Sequence, residues 1–234
     1  MSGHLLLEGG AEFGGAMASP DREAIRLAGG LGAAVAVIPA AAAPDHNDER
    51  AGRRAVNWFR GLGALKVESL PLVNRASADD PDIADRLRQA RLIYLLGGFP
   101  AHLAESLMDS LSWRALQQAY HAGAVIAGSS AGAMVLCSDY FDPTRRAVNP
   151  GLDLLADTCV IPHHDTFGRQ WVLALKRKLP GRLLMGIDEE TGTISQRSLN
   201  RWQVHGKGRV TCYRSERVVV FGPGQSFHLG ELDP

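Results

Sequence analysis

The sequence predicts an α/β protein of three layers, with helices on both faces of a mostly parallel central sheet and an antiparallel C-terminal extension of that sheet. Three observations predict it. Short apolar runs alternate with stretches of helical spacing over roughly the first 130 residues. After about residue 186 the pattern changes to short strand-like runs divided by tight turns. Between these regions a strand-like run enters a G-x-S-x-G turn and then a helix-forming stretch.

The apolar runs fall at 5–7, 33–38, 65–67, 92–96 and 124–127. They have strand length, and the helical stretches between them supply the crossovers that parallel strands require. Those stretches are 21–31, 49–62, 82–90 and 102–121, and Asp80-Pro81 reads as an N-cap followed by proline in the first helical turn. The alanines at 40–43 are bracketed by Pro39 and Pro44 and are expected as loop. Later runs at 193–194, 202–204, 209–212 and 217–221 are separated by Gly206-Lys207-Gly208 and Ser215-Glu216, as in antiparallel hairpins. No linker or internal repeat interrupts the chain, so residues 1–234 are expected to form one domain.

Composition narrows the function. The 234 residues carry 25 Lys plus Arg against 25 Asp plus Glu, a balance with no electrostatic footprint for nucleic acid or an anionic membrane. With 45% hydrophobic and 21% charged residues the chain falls outside the disordered class. The most apolar stretch, 31–43, contains Gly32 and Pro39 and is shorter than the ~20 residues of a spanning helix. Leu5-Leu6-Leu7 has no basic flank before it, unlike a secretory leader, so the expected location is the cytoplasm. Cys137, Cys159 and Cys212 lack C-x-x-C spacing and are read as buried free thiols.

The segment from Ala124 to Met134 carries the chemistry. Gly128-Ser129-Ser130-Ala131-Gly132 lets the backbone crowd at a strand-to-helix turn, so that the Ser130 hydroxyl projects from the sheet edge and the free N–H groups of the next helix face the same spot. The bland reading is a tight turn with a capping serine, and the strand-before, helix-after placement favours a nucleophile. A serine needs a base. His163 and His164, in Pro162-His163-His164-Asp165, follow an apolar run whose end would lie beside the elbow strand. Zinc ligation by His163, His164 and Asp165 is the rival chemistry, and no H-E-x-x-H supports it. The orienting acid is sought in Asp188-Glu189-Glu190, which otherwise reads as an acidic turn. The order serine, histidine, acid differs from that of α/β-hydrolases, which disfavours an ordinary lipase or esterase.

With these segments in place, the chain resembles the serine peptidase family that contains cyanophycinase and aspartyl dipeptidase, whose fold is like that of class I glutamine amidotransferases. The resemblance lies in Leu5-Leu6-Leu7-Glu8-Gly9-Gly10, in Leu92 to Gly98 with its terminal glycine pair, in the elbow Gly128 to Ala133, in Pro162-His163-His164 and in Gly186-Ile187-Asp188-Glu189. It implies a Ser-His-Glu triad of Ser130, His163 and Glu189, with the N–H groups of Gly98 and Ala131 as oxyanion hole. A shifted register of the same comparison selects His164 as the base; the proline directly before His163 selects His163. The amidotransferases carry cysteine at the elbow, so Ser130 excludes their thiolate chemistry. Phe99-Pro100 after the glycine pair departs from the polar residues often found in the family.

The resemblance implies a small peptide substrate, an aspartyl peptide or isopeptide, and neither metal nor organic cofactor. A substrate carboxylate needs a cation, for which Arg169, with His164 beside it, and Arg145 or Arg146 are the candidates. Trp58, Trp113 and Trp171 are read as core. Two rivals remain: a non-peptidase serine hydrolase or acyltransferase on the same triad, and a catalytically silent binding protein. A homodimer is compatible with the sequence.

Overall fold

The computed structural model describes residues 3–196 and 198–232. In chain order it contains β1 (His4–Glu8), α1 (Ala18–Leu27), β2 (Ala34–Ile38), α2 (Asp48–Gly61), β3 (Lys66–Ser69), α3 (Arg75–Ala78), α4 (Pro81–Gln89) and β4 (Leu92–Leu95). There follow α5 (Pro100–Leu107), α6 (Leu111–His121), β5 (Val125–Ser129), α7 (Ala131–Val135), β6 (Asp139–Asp142), β7 (Ala147–Pro150), β8 (Thr158–Ile161) and α8 (Val172–Lys178). The chain closes with β9 (Leu183–Ile187), β10 (Thr191–Gln196), β11 (Ser198–Gly206), β12 (Val210–Arg214), β13 (Arg217–Phe221) and β14 (Ser226–His228).

The central sheet has eight strands in the order β14-β11-β10-β1-β5-β4-β2-β3. The five from β1 to β3 are parallel, and β10, β11 and β14 add to them antiparallel, as the sequence predicts. Alternate residues of each parallel strand enter opposite cores. Leu5, Leu7, Ile93, Leu95 and Ile126 pack with the apolar faces of α4 to α7, whereas Leu6, Leu92, Tyr94, Val125 and Ala127 pack with α1 and α2. Both sheet faces are thus covered, which is why these strands read as continuous apolar runs rather than as alternating ones.

Four features differ from the sequence expectation. Strands β12 and β13 do not extend the central sheet: with β8 and β9 they form a second, four-stranded sheet ordered β13-β12-β9-β8. The strand that leads to His163 therefore lies beside β9, not beside the elbow strand β5. The second sheet joins the core on the α4–α7 side through Val160, Ile161, Met185 and Cys212, so its burial requirement is met by the first sheet's helices. The predicted helix at 102–121 is two helices: Asp109 has φ 58°, and Ser110 caps α6 by accepting the Trp113 N–H at 2.9 Å. The alanine stretch is not loop but a short 3-10 helix, Ala40–Asp45, with Ala40 to Ala42 buried. The expected cap of α4 is present, with Asp80 accepting the Asp82 N–H at 2.8 Å ahead of Pro81. All three cysteines are buried free thiols. Among the described residues no helix is long and apolar enough to cross a membrane.

Candidate active site

In a parallel sheet the strands' carboxyl ends come to one edge. Register aligns Glu8 with Ser129 and Leu95 with Gly128, so the turns after β1, β4 and β5 emerge together. In the second sheet β8 and β9 run parallel, with Ile161 opposite Gly186, and deliver the turns at 162–168 and 188–190 to the same place. The turn after β1 joins the two sets. Glu8 C=O accepts the Ser130 N–H at 3.0 Å, Gly9 C=O accepts the His163 N–H at 2.7 Å, and Gly10 C=O accepts the Glu190 N–H at 3.3 Å. Gly10, at φ 126°, also has no room for a side chain, because a Cβ there would overlap the His163 ring.

Ser130 has φ 48° and ψ −110°, a strained conformation for a residue with a side chain. The strain turns its Oγ out of the sheet edge, where the hydroxyl donates to His163 Nε2 at 3.0 Å. His163 Nδ1–H donates to Glu189 Oε1 at 2.9 Å. The imidazole is otherwise held by its own backbone, whose carbonyl accepts the Gly168 N–H at 2.8 Å, and by the Phe167 ring stacked on it at 4.6 Å. Asp165 accepts the Glu189 N–H at 2.9 Å and fixes the acid's main chain. Serine, imidazole and carboxylate thus stand in one hydrogen-bonded line, a geometry suited to relay a proton from the hydroxyl and to stabilise the imidazolium that results.

This line opens into a cavity of about 340 Å³, walled by Glu12, Gly98, Met134, Pro143, Phe167 and Trp171 among others. Of the two N–H groups sought for an oxyanion, Gly98 is in that wall, and Ala131 is the first residue of α7, whose leading N–H groups lack intrahelical partners. Two residues of the wall escaped the sequence reading. Trp171 is half-buried in the cavity rather than core, because 168–171 is a 3-10 turn that swings it towards Phe141 and Phe167. Glu12 is in a glycine-rich turn with no periodicity to mark it; its Oε1 accepts the Gly97 N–H at 3.0 Å.

His164 and Arg169, sought as substrate contacts, do not line this cavity. Successive side chains leave the chain on opposite sides: His163, at φ 50°, faces Ser130, while His164 turns under β9 and β12. There it is buried, with Nδ1 3.3 Å from Asp188 Oδ1 and Nε2 2.9 Å from the Tyr213 hydroxyl. Burial lowers its pKa, only partly opposed by Asp188, so it stays neutral more readily than an exposed histidine. Arg169 lies with it at a separate cavity of about 610 Å³ that includes Arg209 and Tyr213. Arg145 is engaged by Glu105 at 3.1 Å and lines a different cavity from that of Ser130. Among the described residues no group of three or more His, Cys, Asp or Glu side chains could hold a metal ion, and His163, His164 and Asp165 diverge.

Beneath the elbow lies an acidic pair. Glu8 and Asp21 are both buried; the Tyr94 hydroxyl donates to Glu8 Oε2, and Trp58 Nε1–H donates to Asp21 Oδ2 at 2.7 Å. Among the described residues Glu8 Oε1 and Asp21 Oδ1 have no other partner, so a proton held between the two carboxyls satisfies both. Burial, and then the charge of Asp21, raises the Glu8 pKa well above the carboxylate range, and burial raises that of Asp21 to about 7.

The chain is similar to known proteins over most of its length. Residues 5–195 match the sequence family described as peptidase family S51. The chain is 30% identical over 209 residues to a cyanophycinase of Geminocystis herdmanii, covering 85% of this chain and 75% of that protein. A cyanophycinase of Synechococcus elongatus is 29% identical over 195 residues, and there the chain spans 79% of itself but only 59% of the relative. The crystal structure of a peptidase from an acI-B1 Actinobacterium superposes with a TM-score of 0.86 at 28% identity, over 98% of both chains. A putative peptidase E protein from Listeria monocytogenes shares the fold, with a TM-score of 0.60 at 18% identity over 94% of this chain and 98% of that one.

Proposed function

The chain belongs to peptidase family S51, and from that premise we propose that it cleaves small aspartyl peptides or isopeptides through a triad of Ser130, His163 and Glu189. One observation carries the reading: the unbroken line from Ser130 Oγ to His163 Nε2 and from His163 Nδ1 to Glu189 Oε1, at 3.0 and 2.9 Å. His163 takes the Ser130 proton as Oγ attacks the scissile carbonyl. Glu189 keeps the ring in the Nδ1–H tautomer and stabilises the imidazolium. Gly98 and Ala131 N–H groups take the oxyanion, and each such donor is worth roughly 10²–10³ in kcat. His163 then protonates the leaving amine, and the acyl-enzyme is hydrolysed by a water that His163 activates.

The aspartyl preference rests on likeness to the cyanophycinases. The apolar wall of Met134, Pro143, Phe167 and Trp171 suits an uncharged leaving group and also favours a second reading, an esterase or amidase on the same triad. A panel of α-aspartyl dipeptides, β-aspartyl isopeptides, unrelated dipeptides and small esters, assayed with wild type and Ser130→Ala, separates them. Aspartyl-selective turnover abolished in Ser130→Ala is the expected result. Ester turnover without peptide turnover selects the second reading, and no turnover together with no labelling of Ser130 by a phosphonylating probe refutes both.

A further inference from the structure

Beside the Ser130 pocket lies a second cavity, of about 310 Å³, lined by Glu12, Phe13, Asn47, Arg50, Arg54 and Gly97 among others. Glu12 and Gly97 belong to the walls of both cavities. The shared wall abuts the nucleophile: a Cβ placed on Gly97 would stand 3.2 Å from Ser130 Cβ and 2.4 Å from Glu12 Oε1. Arg50 and Arg54 are one turn apart on α2 and face this space together. Neither forms an ion pair with a carboxylate among the described residues, unlike Arg53 between them, which pairs with Glu49 at 3.3 Å.

Both guanidinium groups are nonetheless held. Arg50 Nε–H donates to Asn47 Oδ1 at 2.7 Å, which leaves its two terminal nitrogens without a protein acceptor among the described residues. Arg54 Nη2–H donates to the Glu12 carbonyl at 3.2 Å, and its guanidinium lies 5.9 Å over the Phe13 ring. Held but unneutralised arginines are what a bidentate carboxylate partner requires. Glu12 spends one carboxylate oxygen on the Gly97 N–H and has the other for a cation at the mouth between the cavities.

We propose that this second cavity is the acyl-side subsite, in which Arg50 and Arg54 take a substrate carboxylate and Glu12 takes the neighbouring ammonium group. An aspartyl residue with a free ammonium, in either linkage, carries its free second carboxylate two carbons from the scissile carbonyl and presents both groups on the required side. The assignment rests on Ser130 as nucleophile, and it replaces Arg169, which opens to a different cavity.

The test is a binding measurement that needs no turnover. In a Ser130→Ala background, calorimetry compares α-Asp-Leu-amide with α-Asn-Leu-amide, and β-Asp-Leu-amide with its α-amidated counterpart, so that each pair differs by one carboxylate. The expected result is about tenfold tighter binding of the carboxylate-bearing member of one pair. That preference disappears in Arg50→Met/Arg54→Met, persists in Arg53→Met, and shrinks with added salt. No preference for the carboxylate in either pair, or a preference that survives the double variant with the fold intact by circular dichroism, overturns the subsite. The triad reading fails separately, on the labelling of Ser130 in the otherwise wild-type protein.

Discussion

Gly10 contributes no side chain and yet decides where the His163 ring stands. Its carbonyl takes the Glu190 N–H, and the space its missing side chain leaves is filled by the His163 ring. Gly10→Ala is therefore expected to lower the rate of Ser130 phosphonylation by more than tenfold while the protein stays folded, as read by labelling kinetics beside circular dichroism. Ser130 itself pays for its exposure in backbone strain, of order 1–3 kcal/mol. Ser130→Gly should consequently be more stable than Ser130→Ala by about 1 kcal/mol, seen as a Tm some 2–4 °C higher, with neither variant expected to turn substrate over. The sequence made Ser130 legible because an elbow has a glycine signature. The choice between His163 and His164 was not legible from the pair alone, since it depends on a positive φ at a histidine, which no residue type announces.

The second sheet is the element that brings His163 and Glu189 to Ser130. It escaped prediction because short strands of the same composition pair equally well with either sheet, and only long-range packing chooses. Its grip on the turn after β8 runs through the His164 N–H to the Ile187 carbonyl, His164 Nδ1 to Asp188, Asp165 to the Glu189 N–H, and the Tyr213 hydroxyl on β12 bonded to buried His164. Tyr213→Phe leaves the His164 Nε2 unsatisfied, at a cost of about 1–3 kcal/mol. A lower Tm together with a several-fold loss of kcat/KM is expected, because the residue beside His164 is the proposed base. An unchanged kcat/KM would show that the turn is held by His163's own bonds to Gly9 and Gly168. The parallel strands, by contrast, were readable one by one, since burial on both faces makes them apolar throughout.

For the molecule as a whole, the Glu8–Asp21 pair sets a pH dependence that runs opposite to that of ordinary surface carboxylates. The folded state holds protons that the unfolded chain releases near pH 4, and Asp21 gives its own up at about pH 7. Stability therefore falls as pH rises from about 4 to about 7, with a slope of up to about 1.4 kcal/mol per pH unit for one group. Glu8, whose pKa burial also raises, adds to the decline in the same direction. Chemical denaturation at pH 5 and pH 7.5 checks this: Asp21→Asn should flatten the profile between those values. The three-layer plan was legible because it is written in periodicity, whereas these buried acids looked like any others, their environment being assembled from β1, α1, α2 and β4.

The pairing of β1 with β10, and of β9 with β12, has a consequence during synthesis. The serine is translated long before the histidine, and the histidine's sheet cannot close until residue 214 has left the ribosome. A nascent chain halted near residue 180 has its elbow but neither the glutamate nor the strands that seat the imidazole. Such a chain should ignore a serine-directed probe. Reactivity at Ser130 is thereby deferred until the second sheet has been synthesised and can seat the imidazole.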